Sequence, residues 1–215
     1  VTEAEKILSK EKRLLLSYAE GIAVSVVEWL KEDPAVEKID IIGSLRRKSA
    51  TVGDINIAVA INKPQKVLDK FVNYPNKQNI QVDLVVTNPK SYGSTLQHFT
   101  GSKLHNIALS KYGLKSNKKF KTEQDLYNFL GMEYIEPELR EDTGEIEAAI
   151  NKTLPNLIKL ENIKADLQIH SNFDIETSHD LGINSMEEIV MRSKELGYEY
   201  LAFTDHNPSK SKHSE

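Results

Sequence analysis

The chain has 215 residues, 39% of them hydrophobic and 28% charged, and no cysteine. That composition describes a globular protein with enough apolar mass for one large or two small domains. It excludes disulfides and thiolate metal sites, so any metal would use His, Asp or Glu. The net charge of −4 hides a split: residues 43–121 hold 14 Lys and Arg against three acids (Asp54, Asp69 and Asp83), a net of +11, so the remainder carries −15. Such a basic block reads as a footprint for a phosphate backbone. There is no apolar run of membrane-spanning length and no signal-peptide pattern, so the expectation is a cytoplasmic protein with no membrane partner.

The first predicted element is a helix over residues 2–32, broken near Lys10. Leu15, Ala19, Ile22, Val26 and Trp29 recur at helical spacing, with Trp29 expected in the core. Asp33-Pro34 stops it. Val36 to Ile42 reads as a strand leading into GSLRRKSATVGDIN, Gly43 to Asn56. There a small flexible loop with hydroxyl and guanidinium donors feeds an acidic strand. Asp54, Asn56, Ala58 and Ala60 alternate with Ile55, Ile57 and Val59, the period of a strand with one buried face, which sets Asp54 and Asn56 side by side. Arginine takes phosphate oxygens bidentately, glycine lets backbone N–H groups approach, and Mg²⁺ prefers carboxylates plus substrate phosphates. The stretch therefore suits a triphosphate on one side and a divalent metal on the other.

Pro64 opens a helix over Gln65–Val72. A second acidic strand follows over Ile80–Val86, with Val82, Leu84 and Val86 on the apolar face and Asp83 opposite, beside Gln81 and Val85. This order predicts a small mixed sheet with helices on one side. Asn88-Pro89 is a helix start, followed by His98–Asn106, HFTGSKLHN. Thr122 caps a helix that runs to Leu130 and stops at Gly131, and Lys152 to Lys164 reads as a linker. Ala165–His170 is again a strand, Ser185 and Glu188 form a capping box for a helix ending at Gly197, and Glu199–Thr204 is a strand entering Asp205-His206. These last elements make a βαβ unit with parallel strands and polar ligands at their ends: His170, His206, and His179 or Asp180 from the loop between them.

GSLRR followed by GDIN, then VDL, HFTGSKLHN, DLQIHS and FTDH, in that order and over essentially the whole chain, resembles the family X DNA polymerases whose prokaryotic members carry a C-terminal PHP domain. The resemblance implies an α+β nucleotidyltransferase-type palm over residues 1–88 and a small thumb with its connection over 89–158. Residues 159–215 would be the first βαβ of a truncated PHP (β/α) barrel. The implied activity is addition of dNMP to a DNA 3′ end in repair or gap filling, by a two-metal mechanism. Its partners are gapped or primer-template DNA and dNTP, and a monomer is the expectation.

Residue by residue, the resemblance implies Mg²⁺ or Mn²⁺ at Asp54, Asn56 and Asp83, and the triphosphate at Gly43, Ser44, Arg47 and Gly53. It puts Phe99 and Gly101 at the sugar and Asn106 at the minor-groove edge. It also implies Zn²⁺ or Mn²⁺ at His170 and His206 with His179 or Asp180. Four positions depart from the family pattern: Asn56 replaces an aspartate, His98 a tyrosine, Ser110 an arginine, and Gln168 the first histidine of a His-x-His pair. Asn56 motivates an alternative, a polymerase-impaired DNA-binding protein that acts through its PHP phosphoesterase or 3′ exonuclease domain. Against the family pattern the chain is also incomplete at both ends, with an N-terminal lyase domain and later barrel ligands missing, and with shortened hairpins near Pro75-Asn76 and Ser116-Asn117.

Overall fold

The computed structural model describes residues 13–75, 80–114, 118–173 and 181–206. The start of the expected first helix, Asn76, Ser116, Asn117, His179 and Asp180 lie outside the described residues. Two compact units divide the chain, one ending at Leu154 and the other beginning at Pro155.

In the first unit Leu14–Leu15 is not helical, as the apolar spacing predicted, but forms a short strand β1. It pairs antiparallel with β3, Thr51–Val52, setting Leu14 opposite Val52. Arg13 reinforces the pairing, donating from Nε to Thr51 Oγ1 at 2.9 Å. Helix α1 then runs over Leu16–Lys31 and buries Ala19, Ile22, Ala23, Val26 and Leu30. Trp29 is packed against this core and donates from Nε1 to Lys70 O at 3.2 Å.

Strand β2, Lys38–Ile42, leads to a single helical turn, α2, Gly43–Arg46, where a flexible loop was expected. Strand β4, Ile55–Ala60, is followed by α3, Gln65–Val72, and β5, Val82–Thr87. The sheet order is β2-β4-β5, with β2 antiparallel and β5 parallel to β4. The parallel pair requires a crossover, which α3 supplies.

Helices cover both faces of this sheet, rather than the one predicted. Ile55, Ile57 and Val59 pack with α1 and with Val67 of α3. On the other face Ala58 and Ala60 lie with Ile42 under Tyr92 and Leu96 of α4, Tyr92–Thr100. Alanine at 58 and 60 leaves room for that close approach, so β4 is buried on both sides along most of its length. Tyr92 fixes the helix by donating its hydroxyl to Asp40 Oδ2 at 2.7 Å.

Three further helices, α5 (Lys103–Lys111), α6 (Glu123–Phe129) and α7 (Glu145–Asn151), enclose Leu109, Leu126, Tyr127, Met132, Ile135, Ile146 and Ala149. Local chemistry sets two of their starts: Ser102 Oγ accepts from His105 N, and Thr122 Oγ1 accepts from Asp125 N. Gly93 of α4 lies so close to Thr122 that an added Cβ would stand 2.1 Å from the Thr122 carbonyl carbon.

The second unit has β6 (Ala165–Ile169), α8 (Met186–Glu195) and β7 (Tyr200–Phe203), with β6 and β7 parallel. Ser185 and Glu188 make the reciprocal capping box. Gly197, at φ +74°, follows the end of α8 in the left-handed region where glycine is unstrained. Among the described residues no helix is long and apolar enough to cross a membrane.

Candidate functional site

The pleat and the two registers assemble the first site. Ile42 lies opposite Asn56 in the antiparallel pair, and Asn56 lies opposite Asp83 in the parallel one. The row Ile42–Asn56–Asp83 therefore crosses the α4 face of the sheet, at the end where Ala58 no longer holds the helix close. Gly43 follows directly, at φ +73°, and a Cβ there would sit 3.4 Å from Asn56 Nδ2. The glycine provides a left-handed turn and lets the backbone approach the Asn56 side chain. Asp54 occupies the bend just before β4, and Asp83 Oδ2 accepts from Gln81 Nε2 at 3.0 Å. Asp54, Asn56 and Asp83 thus lie at one end of the β4–β5 pair. Among the described residues no three His, Asp or Glu side chains are grouped to hold a metal ion.

The arginine pair of the α2 turn is directed elsewhere. Arg47, expected at a triphosphate, donates from Nε to Glu141 Oε1 at 2.5 Å and from Nη1 to Thr100 O at 2.8 Å. Arg46 donates to Thr100 Oγ1 at 2.9 Å and to both Glu123 oxygens at 3.0 and 2.6 Å. Glu123 also accepts from Arg140 Nη1 at 2.5 Å and from the Tyr134 hydroxyl at 3.2 Å. Arg140 is fully buried and Glu123 is 5% exposed. Burial pushes the Glu123 carboxyl up, but the Arg46 hydrogen bond and both guanidinium charges outweigh it and hold the group below its ordinary range. Ser44 remains on the α2 turn, its carbonyl accepting from Ser49 N at 3.1 Å. Gly53 has the Arg13 guanidinium as neighbour, with Nη1 3.8 Å from the position of an added Cβ.

HFTGSKLHN spans the end of α4, a turn, and the start of α5. Phe99 is exposed and meets His98 edge-on at 5.1 Å. Gly101 is a tight position: a Cβ would stand 2.7 Å from Asn106 Oδ1 and 2.8 Å from His105 Cδ2. Asn106 was expected to reach a base edge, but its amide braces this turn. Nδ2 donates to His98 O at 2.7 Å and Gly101 O at 3.2 Å, and Oδ1 accepts from Gln97 Nε2 at 2.8 Å. Ser110 is exposed and donates to Ile107 O of its own helix at 2.7 Å.

In the second unit the His170 and His206 rings stack with centroids 5.2 Å apart and planes inclined by 3°. Between them in sequence, Asp205 accepts from Ser171 N at 2.6 Å and Ser171 Oγ at 2.7 Å, clipping the ends of the parallel strands together. The pair of histidines expected at neighbouring strand ends is therefore present, while His179 and Asp180 lie outside the described residues.

Sequence reasoning missed Arg13, Glu123, Glu141 and the buried pair His105–Glu145. Glu123 carried a signal that points the other way, since an acid at the first position of a helix usually faces solvent and the helix dipole.

Residues 108–141 match the family model for the DNA polymerase beta thumb. The chain is 30% identical over 230 residues to the DNA polymerase/3′-5′ exonuclease PolX of Bacillus subtilis (strain 168), covering 91% of this chain. It spans only 39% of that relative's length. Both likenesses are therefore to DNA polymerases, one over the thumb and one over part of the relative's length.

Proposed function

We propose that the protein is a DNA-directed DNA polymerase that adds dNMP to a DNA 3′ end, filling gaps in repair. The observation that carries this reading is the parallel register setting Asp83 beside Asn56 with Gly43 against the Asn56 side chain. Hard oxygen donors at one strand end, beside a glycine turn, fit Mg²⁺ together with a triphosphate. Asp54, Asn56 and Asp83 would hold the ion, which when bound neutralises phosphate charge and lowers the pKa of the attacking hydroxyl. The chain itself binds and orients. Gly43, Ser44 and Gly53 present backbone and hydroxyl donors to the triphosphate, and Phe99 and Gly101 offer a ring edge and the backbone of a tight turn to the sugar. Arg47, tied to Glu141 and Thr100, fixes the α2 turn from the thumb side. The basic block over residues 43–121 receives the DNA backbone.

Asn56 keeps an oxygen but lacks the charge of an aspartate. Primer extension on gapped DNA tests the reading: Asn56→Asp should raise the rate about tenfold or more, and Asp83→Ala should abolish what remains. No increase with Asn56→Asp, with DNA and dNTP still bound, would remove the metal assignment.

The stacked His170 and His206 favour a second reading, a PHP phosphoesterase or 3′ exonuclease site that holds Zn²⁺ or Mn²⁺. Imidazole nitrogens at adjacent strand ends suit such a metal. Equal metal content and nuclease activity in the protein and in its His170→Ala/His206→Ala variant would refute it.

A further inference from the structure

The turn that the proposed function places at the nucleotide sugar is held from an unexpected direction. His105, fully buried, follows Gly101 by four residues, and its ring packs against the space that a Gly101 Cβ would occupy. Its Nδ1 lies 2.5 Å from Glu145 Oε1 and its Nε2 lies 3.3 Å from the Tyr127 hydroxyl. Glu145 is 5% exposed and also accepts from Asp142 N at 3.0 Å and Thr143 N at 2.7 Å. The same segment reaches the turn again where Ser102 N donates to Arg140 O at 3.1 Å.

Burial lowers the His105 pKa despite the Glu145 hydrogen bond, while His105 and backbone N–H groups hold Glu145 below its ordinary value against burial. Both directions agree with one arrangement: a neutral ring donating from Nδ1 to an ionised carboxylate and accepting at Nε2 from the Tyr127 hydroxyl. Every polar atom of the imidazole then has a directional partner, and the ring is fixed against Gly101. Nothing in the local sequence of HFTGSKLHN requires this. The fixing group comes from α7, beyond the residues that match the thumb family model.

We propose that Glu145, acting through His105, is a positioning residue for the nucleotide-facing turn Phe99–Asn106, so that α7 belongs functionally to the deoxynucleotide site. The inference rests on the polymerase reading above. Releasing the ring frees the Gly101 turn and Asn106, which loosens the fit to an incoming dNTP without touching DNA contacts or the oxygen donors at Asp54, Asn56 and Asp83.

The test compares wild type with Glu145→Ala, Glu145→Gln and Tyr127→Phe by amide hydrogen exchange, dNTP binding and single-nucleotide gap filling. Glu145→Ala should speed exchange across residues 101–106. It should also raise KM for dNTP about fivefold, the effect of one net buried hydrogen bond, with kcat and gapped-DNA affinity nearly unchanged. Glu145→Gln keeps the volume and one acceptor, folds even if alanine does not, and should restore part of the loss. Tyr127→Phe should give a smaller change in the same direction. Wild type that binds dNTP, with Glu145 variants binding it equally well or merely melting earlier, overturns the inference. Wild type that binds no dNTP and extends no primer overturns the polymerase reading instead, and with it the nucleotide role given to the turn.

Discussion

Replacing Glu123 by glutamine leaves the shape of the α2–α6 contact intact and removes the carboxylate charge that faces Arg46 and Arg140. Arg140 is fully buried and stacks over the Tyr127 and Tyr134 rings, each 5.4 Å from its guanidinium carbon, so it has no route to water. Losing one partner of a buried ion pair costs about 3–5 kcal/mol, because the remaining charge stays desolvated. The Arg46 side chain is 20% exposed and recovers some hydration, which favours the lower end, about 3 kcal/mol. For a unit of this size that corresponds to a fall in melting temperature of about 10 °C. Urea unfolding should show a lower midpoint with an unchanged slope, since the buried surface is the same. Adding Arg140→Met to Glu123→Gln should return part of the loss by removing the stranded charge. A loss under about 1 kcal/mol for Glu123→Gln, or further destabilisation on adding Arg140→Met, would refute the assignment of the network as a charge-balanced core.

Gly93→Ala should destabilise the first unit by about 1–3 kcal/mol in the same assay, because the new methyl group meets Thr122 backbone that cannot move aside. His105 and Glu145 both have folded-state pKa values below their ordinary 6.5 and 4.5, so the unfolded chain binds more protons and stability is lost on acidification. The urea midpoint should hold above pH 6.5, decline as pH falls below it, and decline again below 4.5; His105→Gln should remove the first decline. Charge reversal at Lys103, Lys111 and Lys118 should weaken DNA binding, each lowering the slope of log affinity against log salt by about 0.9 if it meets a phosphate. Equal weakening by reversals in the acidic second half would refute the basic footprint.

Elements whose cause is local were legible in the sequence. Helix α3 occupies Gln65–Val72 as Pro64 predicted, and the caps at Thr122 and at Ser185 with Glu188 form the expected hydrogen bonds. The parallel βαβ pairing of the second unit also followed from strand, helix and strand order. What escaped depends on distance rather than on neighbours. Leu14 and Leu15 satisfy a helical pattern as well as a strand, and only their pairing with Thr51–Val52 decides between the two. Alternation in β4 marked Ile55, Ile57 and Val59 as buried but gave no sign that Tyr92 and Leu96 would bury Ala58 and Ala60. At the site, the spacing of Gly43, Asn56 and Asp83 was readable. The destination of Arg46 and Arg47 was not, because their partners lie 77 and 94 residues downstream.

The parallel pairing of β4 and β5 makes the oxygen-donor cluster an all-or-none feature of folding. Side chains alternate along β5, so a slip of one residue would set Val82 or Leu84 opposite Asn56 and turn Asp83 toward the apolar layer of α1 and α3. Burying that carboxylate there would cost several kcal/mol, and leaving valines on the open face would forfeit the burial that Val82 and Val86 now contribute. The hydrophobic core therefore proofreads the position of Asp83. Insertions or deletions within β5 should be tolerated only when they leave this alternation in phase.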